Sequence, residues 1–183
     1  MNIFFDTEFT GLRKDTTLIS IGMIAENGKT FYAELTDYNT KLCDDWIEKN
    51  VIDHLYTRYR EQLDEAPYID NLHVGNKECI GKALKMWLKQ FDDVQFVSDV
   101  CHYDMVLLID LFGTAFDLPE NVSAVCYDIN QDIAKHYGIS NKEAFDKSRE
   151  EIVKELCGAE VVGEKHNSLY DAKVIKAIYD EIK

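Results

Sequence analysis

Residues 18–25 read Leu18-Ile19-Ser20-Ile21-Gly22-Met23-Ile24-Ala25, and Glu26-Asn27-Gly28-Lys29 and Thr30-Phe31-Tyr32-Ala33-Glu34-Leu35 follow directly. The first stretch is a short apolar run rich in β-branched residues, the pattern of a buried strand. Asn27-Gly28 is a dipeptide that tolerates positive φ at a hairpin turn, so the chain is predicted to reverse there and Thr30–Leu35 to run back as a second strand. Toward the N-terminus, Ile3–Phe9 is another short apolar run. The three predict an antiparallel meander.

Beyond the meander, helical spacing takes over. Asn76–Phe91 places Cys79, Ile80, Ala83, Leu84, Trp87, Leu88 and Phe91 on one face at the 3.6-residue period. Helices are also predicted at Asp44–Leu55, Tyr103–Phe112, Ile129–Tyr137, Lys142–Leu156 and Ser168–Ile182, with Gly113, Gly138 and Gly158 as stops. Val94–Val97 and Ser123–Tyr127 read as further strands. A meander followed by alternating helices and strands defines an α/β chain, a mixed sheet flanked by helices. With 183 residues and no linker-like stretch, residues 1–183 are expected to form a single domain.

Composition narrows the function. The hydrophobic fraction of 46% excludes a disordered chain. A formal charge of −14 argues against a basic surface gripping a long duplex through many phosphates. It leaves room for local binding at a chain end, where cations held by carboxylates would invert the field. The five cysteines form no Cys-x-x-Cys pair and have no histidine at zinc-finger spacing, so they read as reduced thiols. No apolar run reaches the ~18 residues a membrane helix needs, and no signal-peptide pattern opens the chain. The expectation is a soluble cytoplasmic protein without a membrane partner.

Three short acidic segments carry the chemistry. Asp6 and Glu8 alternate along the first strand and therefore face the same side, where two like charges oppose stability. The other reading of this pair is a solvated acidic strand end. Asp104 follows the Val94–Val97 strand at the start of a helix. That position suits a dipole-complementing acid, and it is also where α/β sheets gather binding residues. His166 and Asp171 straddle the start of the last helix. Ser168-x-x-Asp171 can be read as a capping box with Asp in place of Glu, a reading that leaves His166 without a role. Four carboxylates and an imidazole, with no thiolate, suit Mg²⁺ or Mn²⁺ and a proton acceptor working near neutral pH.

Taken together, Asp6-Thr7-Glu8-Phe9-Thr10-Gly11-Leu12, Tyr103-Asp104 and His166-x-x-x-x-Asp171-Ala172 resemble the three motifs of the DEDDh-type 3′→5′ exonucleases of the RNase H-like superfamily. The resemblance spans residues 6–172. Within that branch, Leu18-Ile19-Ser20-Ile21-Gly22, Glu26-Asn27-Gly28, Tyr32-Ala33 and Val100-Cys101-His102-Tyr103-Asp104 are most similar to the RNase AS-like exoribonuclease group. There is one departure. Many members carry a His-Asn pair ahead of the second-motif Asp, where this chain has Asp99-Val100.

The resemblance implies an RNase H-like fold and two-metal hydrolysis of single-stranded RNA from its 3′ end, releasing nucleoside 5′-monophosphates. Two divalent cations, Mg²⁺ or Mn²⁺, would be held by Asp6, Glu8, Asp104 and Asp171, with Asp6 bridging, and His166 would deprotonate the attacking water. Phe9, Thr10, Gly11 and Leu12 would frame the terminal nucleotide, with Leu12 either a wedge beside the last base or a core leucine. Tyr103 would pack behind Asp104. Arg13, Lys14 and Lys165 would touch phosphates or be solvated charges, while His54, His73 and His136 read as ordinary residues. A preference for adenylate-rich tails and a homodimer come from the same subgroup resemblance. Two other readings stand beside this one: a single-stranded DNA exonuclease with the same chemistry, and a non-catalytic module that binds RNA ends.

Overall fold

A computed structural model describes residues 1–58 and 69–183. Six strands form one sheet: β1 (Asn2–Phe9), β2 (Leu18–Ala25), β3 (Thr30–Leu35), β4 (Leu72–Gly75), β5 (Val94–Ser98) and β6 (Val122–Asp128), in the spatial order β4-β3-β2-β1-β5-β6. β1, β2 and β3 are the expected antiparallel meander. β5 pairs parallel to β1, β6 parallel to β5, and β4 parallel to β3. β4 did not stand out in the sequence. It is four residues long, lies at the sheet edge and buries none of its side chains fully, so it lacks the apolar alternation that marks a half-buried strand.

The helices among the described residues are α1 (Asp45–Asn50), α2 (Lys77–Leu88), α3 (Cys101–Asp110), α4 (Asn130–Tyr137), α5 (Asn141–Asp146), α6 (Arg149–Cys157) and α7 (Ser168–Ile182). Two predicted helices are divided. Asp44–Leu55 becomes α1, capped by Asp44 on the Ile47 N–H, followed by a separate 3₁₀ turn at Ile52–His54. Lys142–Leu156 is broken at Lys147, whose backbone is extended. Both halves have their own cap: Ser140 forms a capping box with Glu143, and the Ser148 hydroxyl accepts from the Glu151 N–H.

The two faces of the sheet carry separate cores. Ile3, Phe5, Ile21, Met23 and Phe96 pack with α2 and α3 residues Ile80, Leu84, Leu88 and Leu108. Phe4 and Val97 pack on the opposite face with Ile133, Ile152, Val174, Ile175 and Ile178 of α4, α6 and α7. Phe4, Asp6 and Glu8 share one side of β1 by strand alternation. The two acids therefore continue the row that faces α7. No helix among the described residues is long and apolar enough to cross a membrane.

Candidate active site

β1 runs past its neighbour. It pairs with β5 only through Asn2, Ile3 and Phe4, so Phe5–Phe9 has an open side toward β5. The turn after β5 and the first turn of α3 fold into that opening and bring Asp104 to the strand. Asp104 is wholly buried. The Thr7 hydroxyl donates to its Oδ1 at 2.6 Å, and the Ser98 hydroxyl donates to Oδ2. The structure thus gives Asp104 more than a helix-dipole role: it is tied to both β1 and β5.

From the other face, α7 brings Asp171. Its first turn lies directly against β2, because Gly22 has no side chain: a Cβ there would lie 2.1 Å from the Leu169 nitrogen. Gly22 is the cross-strand partner of Asp6, so this contact sets how closely α7 approaches the acids of β1. Beside it, the hydroxyls of Ser20 and Ser168 are buried at 3.0 Å from each other. The cap of α7 is Asn167, whose side chain accepts the Tyr170 N–H, so the Ser168-x-x-Asp171 box does not form. Asp171 Oδ2 instead accepts the His166 N–H at 3.0 Å. His166 has φ +66°, a left-handed turn that a β-carbon makes costly and that this hydrogen bond helps to hold. The turn leaves the His166 Nδ1 3.9 Å from Glu8 Oε1, with Trp46 edge-on to the ring at 5.1 Å.

The five expected residues therefore come together from β1, α3, α7 and the turn that leads into α7. They line a cleft of about 420 Å³, together with Phe9, Leu12, Asp99 and the α5–α6 junction. One carboxylate oxygen from each of Asp6, Glu8 and Asp171 lies within 4.8 Å of the other two, and the same holds for Asp6, Asp99 and Asp104. Asp6 belongs to both groups. Burial first, then the neighbouring Asp104, Asp171, Glu8 and Asp99, pushes the Asp6 carboxyl well above the usual range. Glu8 is raised for the same reasons, burial and then Asp171 and Asp104. Burial also raises Asp104 and Asp171 to about 7 each. This cluster opposes its own ionisation and becomes favourable only with positive charge between the oxygens. Oxygen-only donors at these spacings fit hard divalent cations such as Mg²⁺ or Mn²⁺. Burial, then Lys165, lowers the imidazole of His166, keeping it neutral near pH 7.

The residues after Glu8 divide by exposure. Phe9 stacks on Tyr103 at 5.2 Å, which places Tyr103 beside Asp104 as a packing ring. Thr10 is fully buried, and its hydroxyl accepts the Thr17 N–H, so its side chain shapes the turn without reaching the cleft. Gly11 has φ +122°. Leu12 is 76% exposed, so it is no core leucine; it projects at the cleft. Lys165 is 3.4 Å from Glu150, and His54, read as ordinary in the sequence, lies 2.9 Å from Glu164 on the segment leading to His166. Sequence reasoning gave Asp99 no role at the site and did not single out Arg149. Asp99 was visible as the replacement of the His-Asn pair. Arg149 carried no local signal, since its side-chain partners, Asp99 and Asn130, come from distant parts of the chain.

The fold is that of the RNase H-like DEDDh nucleases. The nuclease domain of 3′hExo, a DEDDh family member bound to rAMP, superposes with a TM-score of 0.66 at 14% identity, over 97% of this chain and 88% of that one. S. pombe Pop2p in its Mg²⁺- and Mn²⁺-bound form gives 0.61 at 16% identity, over 99% of this chain and 82% of that one. The family model of the 3′-5′ exoribonuclease Rv2179c-like domain matches residues 1–183, and the chain belongs to that family of 3′→5′ exoribonucleases. It is also 26% identical over 137 residues to the 3′-5′ exoribonuclease Rv2179c of Mycobacterium tuberculosis (strain ATCC 25618 / H37Rv), covering 72% of this chain and 73% of that relative. The same figures hold for MT2234.1, a 3′-5′ exoribonuclease of strain CDC 1551 / Oshkosh.

Proposed function

We propose that this exoribonuclease shortens single-stranded RNA from its 3′ end to nucleoside 5′-monophosphates with the help of two divalent cations, Mg²⁺ or Mn²⁺. The observation that carries the reading is the place of Asp6 in two carboxylate groups, one with Glu8 and Asp171 and the other containing Asp104. Asp6 would bridge the two cation sites, Glu8 and Asp171 would complete one, and Asp104 would support the second. When bound, the cations neutralise charge that builds on the phosphate and on the leaving 3′-oxygen.

The rest is done by the chain. His166, neutral and 31% exposed at its side chain, accepts a proton from the attacking water. Leu12 and the backbone around Gly11 border the terminal nucleotide, and Glu8 with the backbone near Phe9 accepts hydrogen bonds from the ribose hydroxyls. A preference for adenylate-rich tails follows from the resemblance to the RNase AS-like group and is checked with oligo(A) against oligo(U). The outermost strands of the sheet among the described residues, β4 and β6, would offer edges for a homodimer, which sedimentation would detect.

The test is product analysis. A 5′-labelled RNA should give a ladder descending one nucleotide at a time and release 5′-monophosphates in Mn²⁺ or Mg²⁺, with no cleavage in EDTA. Full activity in EDTA would overturn the cation reading, and 3′-monophosphate products would overturn the assigned bond cleavage.

A further inference from the structure

Asp99 lies outside the four acids of the motifs, yet its carboxylate is held in place by a largely buried arginine. Its Oδ2 accepts the Arg149 Nε–H at 2.7 Å, and each of the two side chains is 14% exposed. Arg149 is anchored in turn. Its Nη1 donates to the carbonyls of Ala144 and Lys147, both at 2.9 Å, and its Nη2 donates to Asn130 Oδ1 at 2.6 Å. Asn130 closes the loop by donating from Nδ2 to the Asp99 carbonyl at 2.7 Å. Four of the five guanidinium N–H groups are thus committed to acceptors of the protein, which fixes the plane and position of the group.

A carboxylate has two oxygens, and Arg149 occupies only one of those on Asp99. Asp104 differs. It is wholly buried, and each of its oxygens already accepts a hydroxyl hydrogen bond, from Thr7 and from Ser98. Of the two acids that join Asp6 in the second group, Asp99 is therefore the one with an oxygen that accepts no hydrogen bond from the protein, and the residue lines the cleft. Its negative charge also falls on Asp6, Asp104 and Asp171, raising all three.

We propose that Asp99 is a direct carboxylate ligand of the second cation, shared with Asp6, and that Arg149 is the positioning residue that aims it. The inference rests on the two-cation reading above. Asp104 then acts from behind, holding the β1–β5 junction and reaching the ion with a remaining lone pair. The ion pair to Arg149 fixes the Asp99 carboxylate without using up its second oxygen, the arrangement by which an outer group orients a ligand.

The experiment is a titration of Mn²⁺ alone into the intact protein, read by calorimetry and by the electron paramagnetic resonance of free Mn²⁺, with no RNA present. Asp99→Asn preserves an oxygen acceptor for Arg149 and removes the charge. It should retain one ion with wild-type affinity and bind the second about 10–100-fold more weakly, and Arg149→Gln should weaken the same site. Asp171→Asn should weaken the other site. Thermal melts of each metal-free variant, and the rise in Tm that Mn²⁺ produces, show whether a lost ion reflects a lost fold. If Asp99→Asn keeps a wild-type-like melt and binds both ions normally, Asp99 serves only to anchor Arg149 and the proposal is overturned. A wild-type protein that takes only one ion at saturation would instead overturn the two-cation reading, and this inference with it.

Discussion

Gly22 and the backbone of Leu169 meet so closely that a single added carbon cannot fit: a Cβ on Gly22 would be 2.1 Å from the Leu169 nitrogen and 2.3 Å from its Cα. The obstacle is main chain, not the end of a flexible side chain, so one of the two elements must move. Because Gly22 lies across from Asp6 and Leu169 is two residues before Asp171, any such movement separates the acids of β1 from those of α7. We expect Gly22→Ala to cost about 1–3 kcal/mol as an overpacking change. That corresponds to roughly 2–4 °C of Tm for each kcal/mol in a chain of this size. Turnover at a temperature where the variant is folded should also fall. Calorimetry with an RNA assay checks both; an unchanged Tm and rate would mean that α7 can shift without consequence.

The pH dependence of stability follows from the raised acids. Asp104 and Asp171 sit at about 7 in the folded chain against an ordinary value of 3.8. A carboxyl whose folded pKa exceeds its unfolded pKa favours the fold in its protonated form. Its contribution is complete below the unfolded value and is lost as pH rises through the folded one. The metal-free protein should therefore melt at progressively lower temperature between about pH 4 and pH 7. Mn²⁺ should reverse the loss at the alkaline end, since it binds the ionised form. A Tm that rises across that range without metal would contradict the assigned electrostatics.

Asp6→Asn removes the charge at the centre of the cluster. Activity should vanish, while metal-free stability stays level or rises because repulsion is relieved. Asp171→Asn should lose activity as well, with less gain in stability, because its carboxylate also accepts the His166 N–H. Near-normal turnover in both variants would remove the basis for the assigned ligands.

His166→Ala should lose about 10²–10⁴-fold in rate, the usual span for a lost proton acceptor, while still binding Mn²⁺. A base works in its neutral form, and burial lowers this imidazole below its ordinary 6.5. The wild-type rate should accordingly rise with pH through a titration on the acid side of that value and be level at neutral pH. If the variant fails to bind Mn²⁺ at pH 7, His166 is a ligand and not a base.

Much of this site could be read from sequence because its parts are local. Asp6 and Glu8 declare a shared face through strand alternation, and Asn27-Gly28 fixes the direction of β3. His166 and Asp171 are joined by one hydrogen bond across five residues. Long-range features could not be read in the same way. Arg149 finds its side-chain partners at Asp99 and Asn130, and nothing in the chain near Arg149 marks them. The break at Lys147 had a local signal in Ser148-x-x-Glu151, a second helix start inside an otherwise continuous periodic pattern. β4 had none, since its pairing with β3 rather than its composition makes it a strand. Thr10 reads as part of an exposed motif, but its hydroxyl is consumed by the turn it closes.

The central claim, an exonuclease that acts on RNA through a site built around the terminal ribose, is tested most directly by rates on matched single strands. The same sequence, 5′-labelled as RNA and as DNA, is degraded in Mn²⁺ and in Mg²⁺. An acceptor placed for the 2′-hydroxyl is left unpaired by deoxyribose, at a cost on the order of 1–3 kcal/mol. RNA should therefore be shortened from its 3′ end roughly 5–200-fold faster than DNA. DNA cleaved as fast as RNA, or faster, would contradict the ribose contact and the assignment of RNA as the preferred substrate.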